Sequence, residues 1–325
     1  MLKLNKNYVG DTIDVMKKID DKEIQLVVTS PPYNASIRKD NHKYPGGNYE
    51  DSMEDSEYVK WIVNVFKEYE RILKDDGVVA FNLSYTTFSP SLPYLLIAEI
   101  FKNTNFMIAD TLAWKKKSAV PLSGHPNRMT RICEFVYIFV KKDSIEKFKA
   151  NKIVSSTSRT GQKYFKTYFN FIETKNNDGC TDIHKATYST DFVKYFIDLY
   201  SFEDSIVLDN FMGTGTSAIG CIDLKRNWIG IDMCENYVEY ANSRIKNHVP
   251  CFESPLSPKK VNSIKNTEEF VFDSSKYKKG EKYTYTGNST VLKTKEVIYI
   301  EEGKKTLKVK DLEGNIGNIS KNKLI

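Results

Sequence analysis

Ser205-Ile206-Val207-Leu208-Asp209-Asn210-Phe211-Met212-Gly213-Thr214-Gly215-Thr216 is the stretch whose reading decides the fold. A short apolar run ending in a carboxylate predicts a buried strand, and two glycines then let the backbone turn sharply beside a ligand before a helix begins near Thr216. Residues 227–232, Asn-Trp-Ile-Gly-Ile-Asp, predict a second strand that also ends in an acid. Strand, glycine turn, helix and strand make a parallel unit, so the fold class expected is α/β with helices on both faces of a mainly parallel sheet. Gly213 to Ala218 also fits the G-x-G-x-x-A pattern of dinucleotide-binding loops, with Asp232 near the position of a ribose-binding acid. Against that reading, Asp209 sets a carboxylate beside a loop that would have to cradle a pyrophosphate.

Working outward, residues 7–10 and 24–30 predict strands and 12–19 a helix. In 57–73, Tyr58, Trp61, Ile62, Val65, Phe66, Tyr69 and Ile72 recur at helical spacing, which predicts a helix with an apolar face. Asp75-Asp76-Gly77 predicts a break before a strand at 78–83, a helix follows around 94–101, and 107–114 with 134–140 predicts an antiparallel pair. The strand at 24–30 delivers Ser30-Pro31-Pro32-Tyr33. Two successive prolines fix φ twice and remove two N–H donors, so this loop is stiff and presents carbonyl oxygens. The Ser30 hydroxyl and the Pro31 carbonyl are acceptors, and Tyr33 offers a flat face for stacking. Pro-Pro-aromatic by itself is commonly only a turn after a buried strand; a dehydrogenase has no use for this one.

Val28-Thr29-Ser30-Pro31-Pro32-Tyr33, taken with Asp209 to Thr216, resembles the paired motifs of DNA amino-methyltransferases, over roughly 8–247. The resemblance implies S-adenosylmethionine as cofactor, double-stranded DNA as partner, and transfer of methyl to the exocyclic N4 of cytosine or N6 of adenine. Ser rather than Asp or Asn at position 30 is the usual state of the cytosine-N4 branch, although some members with Ser methylate adenine. Because the catalytic motif precedes the donor loop, the order resembles the permuted beta class, with its seven-stranded methyltransferase sheet. Ser30, Pro31, Pro32 and Tyr33 are then the catalytic residues. Cofactor contacts are expected from Thr29, Phe211, Gly213, Thr214, Gly215 and Thr216, from Asp209 to the donor amino group, from Asp232 to the ribose and from Asp11 to the adenine. His184 and Ser189 lie in a segment similar to the one that closes over the methionine part, though Lys185 and Thr187 depart from the family's usual residues. Chemistry on a base inside a duplex requires base flipping. The resemblance further implies a restriction-modification system with a cognate endonuclease. An RNA methyltransferase and a DNA-binding protein without catalysis are the remaining alternatives.

The chain has 325 residues and a formal net charge of +6. Residues 258–325 hold 15 Lys against 9 acidic residues, and 115–180 hold 14 Lys and Arg against 5 acidic residues. Charge of this kind supplies affinity for nucleic acid without sequence information. DNA contacts are expected from Arg38, Lys115, Lys116, Arg128, Arg131, Arg159, Gln162 and Lys163. The organisation expected is 1–140, the catalytic half; 141–182, a target-recognition insertion; 183–252, the donor-binding half; and 253–325, a basic β-rich appendage with strands at 282–285, 290–293, 297–300 and 306–309. Residues 34–56 lack apolar periodicity and are expected to close over the flipped base. The five cysteines show no C-x-x-C pair and no metal-binding spacing with histidine, so reduced thiols, no metal and a cytoplasmic location are expected. Pro250-Cys251 resembles a cytosine-C5 nucleophile only by coincidence of two residues. No signal peptide or membrane span is expected.

Overall fold

The computed structural model describes residues 2–34, 53–86, 89–118, 127, 129–180, 183 and 187–252, and the backbone of four strands beyond. Two compact units divide the chain, Met1–Lys259 and Lys260–Ile325. In the first, the strands are β1 (Lys6–Val9), β2 (Ile24–Thr29), β3 (Leu73–Leu83), β4 (Phe106–Lys116), β5 (Cys133–Lys141), β8 (Phe171–Thr174), β9 (Ile206–Asp209) and β10 (Asn227–Asp232). They form one sheet in the order β1-β10-β9-β2-β3-β5-β4-β8. Only β5 runs against the others. A small hairpin, β6 (Val154–Thr157) with β7 (Lys163–Phe165), stands apart from this sheet.

Residues alternate between the two faces as the period of a strand requires. Val27, Val79, Phe81, Leu208 and Ile231 point into a core shared with the helices α1 (Thr12–Met16), α2 (Asp55–Ile72) and α3 (Leu92–Asn103). Leu26, Val28, Val78, Ala80 and Ile138 point the other way, into a core shared with α4 (Thr190–Tyr200) and α5 (Thr216–Asp223). Phe66 of α2 is the hub of the first core. Its ring meets Tyr69, Phe81, Phe106 and Phe139 edge-on, with centroids 4.9–5.6 Å apart, the geometry aromatic quadrupoles favour. No helix of the described residues is long and apolar enough to cross a membrane.

Three expectations change. The sheet has eight strands rather than seven, because Phe171–Thr174 of the expected insertion pairs in parallel with β4; its single buried residue, Ile172, is too faint a signal to read from sequence. The strand β3 begins at Leu73 instead of after Gly77, and Asp75-Asp76-Gly77 falls at a register shift opposite Ile24 to Leu26. Gly77 is needed there, since a Cβ would lie 2.6 Å from Leu73 Cγ. The helix α1 closes at Met16.

In the second unit, β11 (Lys282–Thr284), β12 (Glu296–Glu302), β13 (Thr306–Asp311) and β14 (Ile316–Ser320) pair antiparallel in that order. The strand at 316–320 is additional to those expected, its pattern being weakened by Gly317, and the one expected at 290–293 lies outside the described residues.

Candidate functional site

The connection after β9 runs through α5 to β10 on one side, and the connection after β2 runs through α2 to β3 on the other. The two adjacent parallel strands β2 and β9, in register at Leu26 with Val207 and Val27 with Leu208, therefore mark the point where the sheet's winding reverses. Loops leaving the carboxyl ends of two such strands diverge and open a crevice, the general ligand site of open α/β sheets. Here those loops are Ser30–Tyr33 and Asn210–Gly215. A hydrogen bond joins their roots: Thr29 Oγ1 donates to Asp209 Oδ1 at 2.7 Å.

Asp209 is the hinge pin of this arrangement. Besides Thr29 it accepts from Tyr188 Oη at 2.8 Å, Ser217 Oγ at 2.5 Å and the Phe211 amide at 3.2 Å. A carboxylate has about four lone-pair sites, and four donors fill them. Burial raises the acid above its ordinary value, partly offset by the donors from Ser217, Thr29 and Tyr188. The side chains of Asp209 and Thr29 are both buried and turned toward each other, and together they hold the roots of the two loops. Next to them, Asn210 Nδ2 donates to Thr12 Oγ1 at 2.7 Å and its Oδ1 accepts from Tyr69 Oη at 2.5 Å, tying the loop to α1 and α2. Phe211 packs edge-on against Trp61, with centroids 5.6 Å apart.

The glycine turn is built as its sequence requires. Gly213 and Gly215 both have left-handed φ, +49° and +76°, a region costly for residues with a Cβ. A Cβ on Gly215 would also lie 2.8 Å from Ala241 Cβ of α6 (Glu235–Lys246). Asp232, at the end of β10, accepts from the Gly213 amide at 2.9 Å through Oδ2 and from the Cys234 amide at 2.9 Å through Oδ1. The Met233 amide also acts on this carboxylate, and the acceptor capacity left over suits a hydroxyl. Burial lifts its acid to about 6 against the pull of those amides. Thr214 and Thr216 are buried, and Thr216 Oγ1 accepts from Arg244 at 2.9 Å. Arg244 also pairs with Asp178 Oδ2 at 2.9 Å; neither stood out in the sequence, since they lie 66 residues apart. Asp11 caps α1 through Oδ1, accepting from the Ile13 and Asp14 amides at 2.9 and 3.1 Å.

Two buried hydroxyls lie in the segment that carries Tyr188 to Asp209. The hydroxyls of Thr187 and Ser189 are buried without a hydrogen-bond partner, a condition native structures seldom leave unrelieved. Ser189 is even the N-terminal flank of α4, yet its hydroxyl caps no amide.

On the Ser30–Tyr33 loop, Pro31 is buried, and Ser30 and Tyr33 are half-buried. Ser30 Oγ donates to Tyr33 Oη at 3.1 Å. Tyr33 Oη in turn lies 3.0 Å from Glu134 Oε2 and 3.1 Å from Asn82 Oδ1. Burial, then the Glu134 carboxylate, push the phenol well above its ordinary value, with the Ser30 hydrogen bond acting in the opposite sense. The Pro32 carbonyl accepts from Tyr58 Oη at 2.7 Å, which anchors the loop on α2. A cavity of about 260 Å³ opens beside Tyr33, lined by Ser84, Tyr85, Lys116, Arg131 and Glu134 among others.

The expected DNA contacts divide into two groups. Arg159, Gln162 and Lys163 are exposed at the turn of the β6–β7 hairpin. Lys116, in contrast, is ion-paired with Glu134 and sits over the Trp114 ring, and Arg131 sits over the Tyr85 ring and donates to the Tyr85 carbonyl. These two cations line the cavity beside Tyr33. Lys115 pairs with Glu173 at 3.2 Å on the surface, a contact weak enough to exchange for phosphate. Arg38, Arg128 and His184, and residues 35–52 of the segment 34–56, lie outside the described residues.

A family model described as "DNA methylase" matches residues 24–243. The chain is 26% identical over 272 residues to the type II methyltransferase M.SmaI of Serratia marcescens, covering 74% of this chain and 90% of that protein. It is 27% identical to M.HinfI of Haemophilus influenzae, covering 79% and 74%. Among solved structures, PvuII DNA methyltransferase, described as cytosine-N4-specific, aligns with a TM-score of 0.59 at 20% identity over 76% of this chain and 88% of that one. The M1.HpyAVI complex with S-adenosylmethionine aligns at 0.50 and 23% identity, covering 74% and 98%.

Proposed function

From the premise that the chain belongs to the DNA amino-methyltransferase family, we propose that it methylates the exocyclic N4 of cytosine within a short sequence of double-stranded DNA. The observation that carries this reading is the union of Ser30-Pro31-Pro32-Tyr33 with the glycine turn across the Thr29–Asp209 hydrogen bond, at the winding reversal of the sheet. Bound S-adenosylmethionine supplies an electrophilic methyl group. Asp232 would hold its ribose, Asp11 its adenine, and the unpaired hydroxyls of Thr187 and Ser189 its polar methionine end, with Thr214, Thr216 and the turn at Gly213 and Gly215 closing around it.

An exocyclic amine is a poor nucleophile because its lone pair is delocalised into the ring, and it becomes positive as it reacts. Ser30 Oγ donates its proton to Tyr33, so its lone pairs would be free to accept from that amine. The Pro31 carbonyl would accept the second amine hydrogen. Held acceptors in a dry site favour the developing charge without reorganising. Tyr33, its ring braced through its hydroxyl, offers the stacking face for the everted base. Arg159, Gln162 and Lys163 would contact DNA from the hairpin, with phosphate contacts giving affinity and Arg159 or Gln162 able to read base edges. The basic second unit would add affinity for DNA. A cognate restriction endonuclease and a cytoplasmic setting complete the proposal.

Nucleoside mass spectrometry of duplex DNA incubated with the protein and S-adenosylmethionine tests it. N4-methylcytosine is the expected product; N6-methyladenine would reassign the base and leave the site intact, and faster transfer to single-stranded RNA would reassign the substrate.

A further inference from the structure

Glu134 is not used by the reading above, yet its carboxylate ends a directed chain that starts at the reacting amine. It stands near the start of β5, where its side chain faces the cavity beside the catalytic loop. Each hydroxyl in the chain donates onward: Ser30 Oγ to Tyr33 Oη at 3.1 Å, and Tyr33 Oη to Glu134 Oε2 at 3.0 Å. Asn82 Oδ1 competes for the Tyr33 proton at 3.1 Å. A carboxylate is the stronger acceptor, because charge-assisted hydrogen bonds are roughly twice as strong as neutral ones. On its other oxygen Glu134 is paired with Lys116.

We propose that Ser30, Tyr33 and Glu134 form a proton relay for the amine, with Glu134 as its terminal acceptor and the adjoining cavity as its outlet to water. This rests on the proposed methyl transfer. As the amine nitrogen gains its bond to carbon and the carbon–sulfur bond of the donor breaks, the sulfur keeps the electron pair and the nitrogen is left with one surplus proton. That proton passes to Ser30 Oγ, the Ser30 proton to Tyr33 Oη, and the Tyr33 proton to Glu134 Oε2. One N–H bond is lost, one carboxyl O–H bond is gained, and both hydroxyls end neutral. Glu134 then releases its proton to the solvent of the cavity, and rotation of the two hydroxyls resets the chain. Glu134 never touches the base and acts through Tyr33, so its part in the reaction is that of a positioning and proton-accepting residue. Lys116, paired with the other carboxylate oxygen, holds Glu134 in line with Tyr33. The titratable and charged groups around this carboxylate are Tyr33 of the Ser30–Tyr33 loop, itself neighboured by Tyr58 of α2, then Lys116 of β4, and Tyr85, Arg131 and Cys133 around the cavity.

The relay is tested with the full-length protein, a substrate duplex and S-adenosylmethionine, by single-turnover rates against pH for wild type, Tyr33→Phe, Glu134→Gln and the double variant. Glu134→Gln keeps the size and a hydrogen-bonding oxygen but cannot take a proton; Tyr33→Phe keeps the ring and leaves the Lys116 pair alone. Each single variant is expected to lower the rate about 100-fold, the usual order for general acid–base assistance. Dissociation constants for S-adenosylmethionine should stay within about twofold of wild type, on the same reasoning that the relay lies off the donor site. The double variant should be no slower than either single one, Glu134→Asp should recover part of the rate, and the acid limb of the wild-type profile should vanish in Glu134→Gln. A second readout needs no turnover: the 13Cζ resonance of Tyr33, identified by its loss in Tyr33→Phe, should move in ligand-free Glu134→Gln. Wild-type rates in Glu134→Gln, a multiplicative loss in the double variant, or an unmoved Tyr33 resonance would each overturn the relay. Absence of transfer by the wild-type protein would instead overturn the methyltransferase reading on which the relay stands.

Discussion

Replacing Thr29 by Val removes one hydroxyl and nothing else, because the two side chains have nearly the same shape. In this structure that hydroxyl, with only 1% of the residue exposed, supplies one of four donors to Asp209. A hydrogen bond to a charged group contributes about 1.5–3 kcal/mol, and a buried acceptor left unfilled carries its desolvation cost. A loss of about 2 kcal/mol at neutral pH follows, equivalent to a Tm lowered by about 4–8 °C for a unit of this size. The sign of the pH dependence follows from the acid. Burial already raises Asp209 above its unfolded value, and the Thr29 donor acts to lower it; the variant therefore raises it further. Its penalty is full above the folded-state value, where the carboxylate is ionised, and shrinks as pH falls through that value and the acid becomes neutral. Urea unfolding of both proteins at several pH values, with calorimetric titration of S-adenosylmethionine, measures this. Loss below about 0.5 kcal/mol, within the range of ordinary surface substitutions, or a loss that does not change with pH, would refute the view that this bond joins the two loops.

Gly215→Ala is expected to cost about 1–2 kcal/mol for its left-handed φ, and more for the approach of its Cβ to Ala241; donor affinity should fall with it, as isothermal titration would show. Asp232, with its acid raised to about 6, should lose donor affinity as pH falls below that value, because the protonated acid gives up acceptor sites. Its contribution to stability runs the other way, greater below the unfolded value and lost as pH rises through about 6, so an affinity that stayed flat from pH 7 to 5 would remove Asp232 from the donor site. Phe66→Ala, emptying the hub of the aromatic core, should destabilise the first unit by about 3–5 kcal/mol in urea titration.

Much of this fold could be read locally. The apolar runs at 24–29, 206–209 and 227–232 are too short for helices and are closed by Pro or Gly or an acid, so strand identity follows from length and boundary alone. The spacing of Tyr58 to Ile72 gave α2 and its buried face for the same reason. Boundaries were harder where backbone geometry rather than hydropathy decides, as at Asp75-Asp76-Gly77, which reads as a turn and is a distortion within β3. In the site, motif residues were legible but their tasks were not. Asp209 looks like a ligand in sequence because a carboxylate beside a glycine loop invites one; only the convergence of Thr29, Tyr188, Ser217 and the Phe211 amide, from three separate segments, shows it to be filled. Glu134 and Lys116 read as ordinary strand-end charges, since their meeting with Tyr33 depends on β5 pairing antiparallel between β3 and β4. Pairing over 101 residues leaves no trace in local pattern.

A crystal structure of the protein with S-adenosylhomocysteine and its target duplex is the most direct measurement. It should show an everted cytosine lying on Tyr33, its exocyclic nitrogen hydrogen-bonded to Ser30 and aimed at the sulfur, at a separation that would put the missing methyl carbon about 3–3.5 Å from that nitrogen. A nucleoside bound over Gly213 and Gly215 with no base beside Tyr33 in a duplex that remains fully stacked would contradict it.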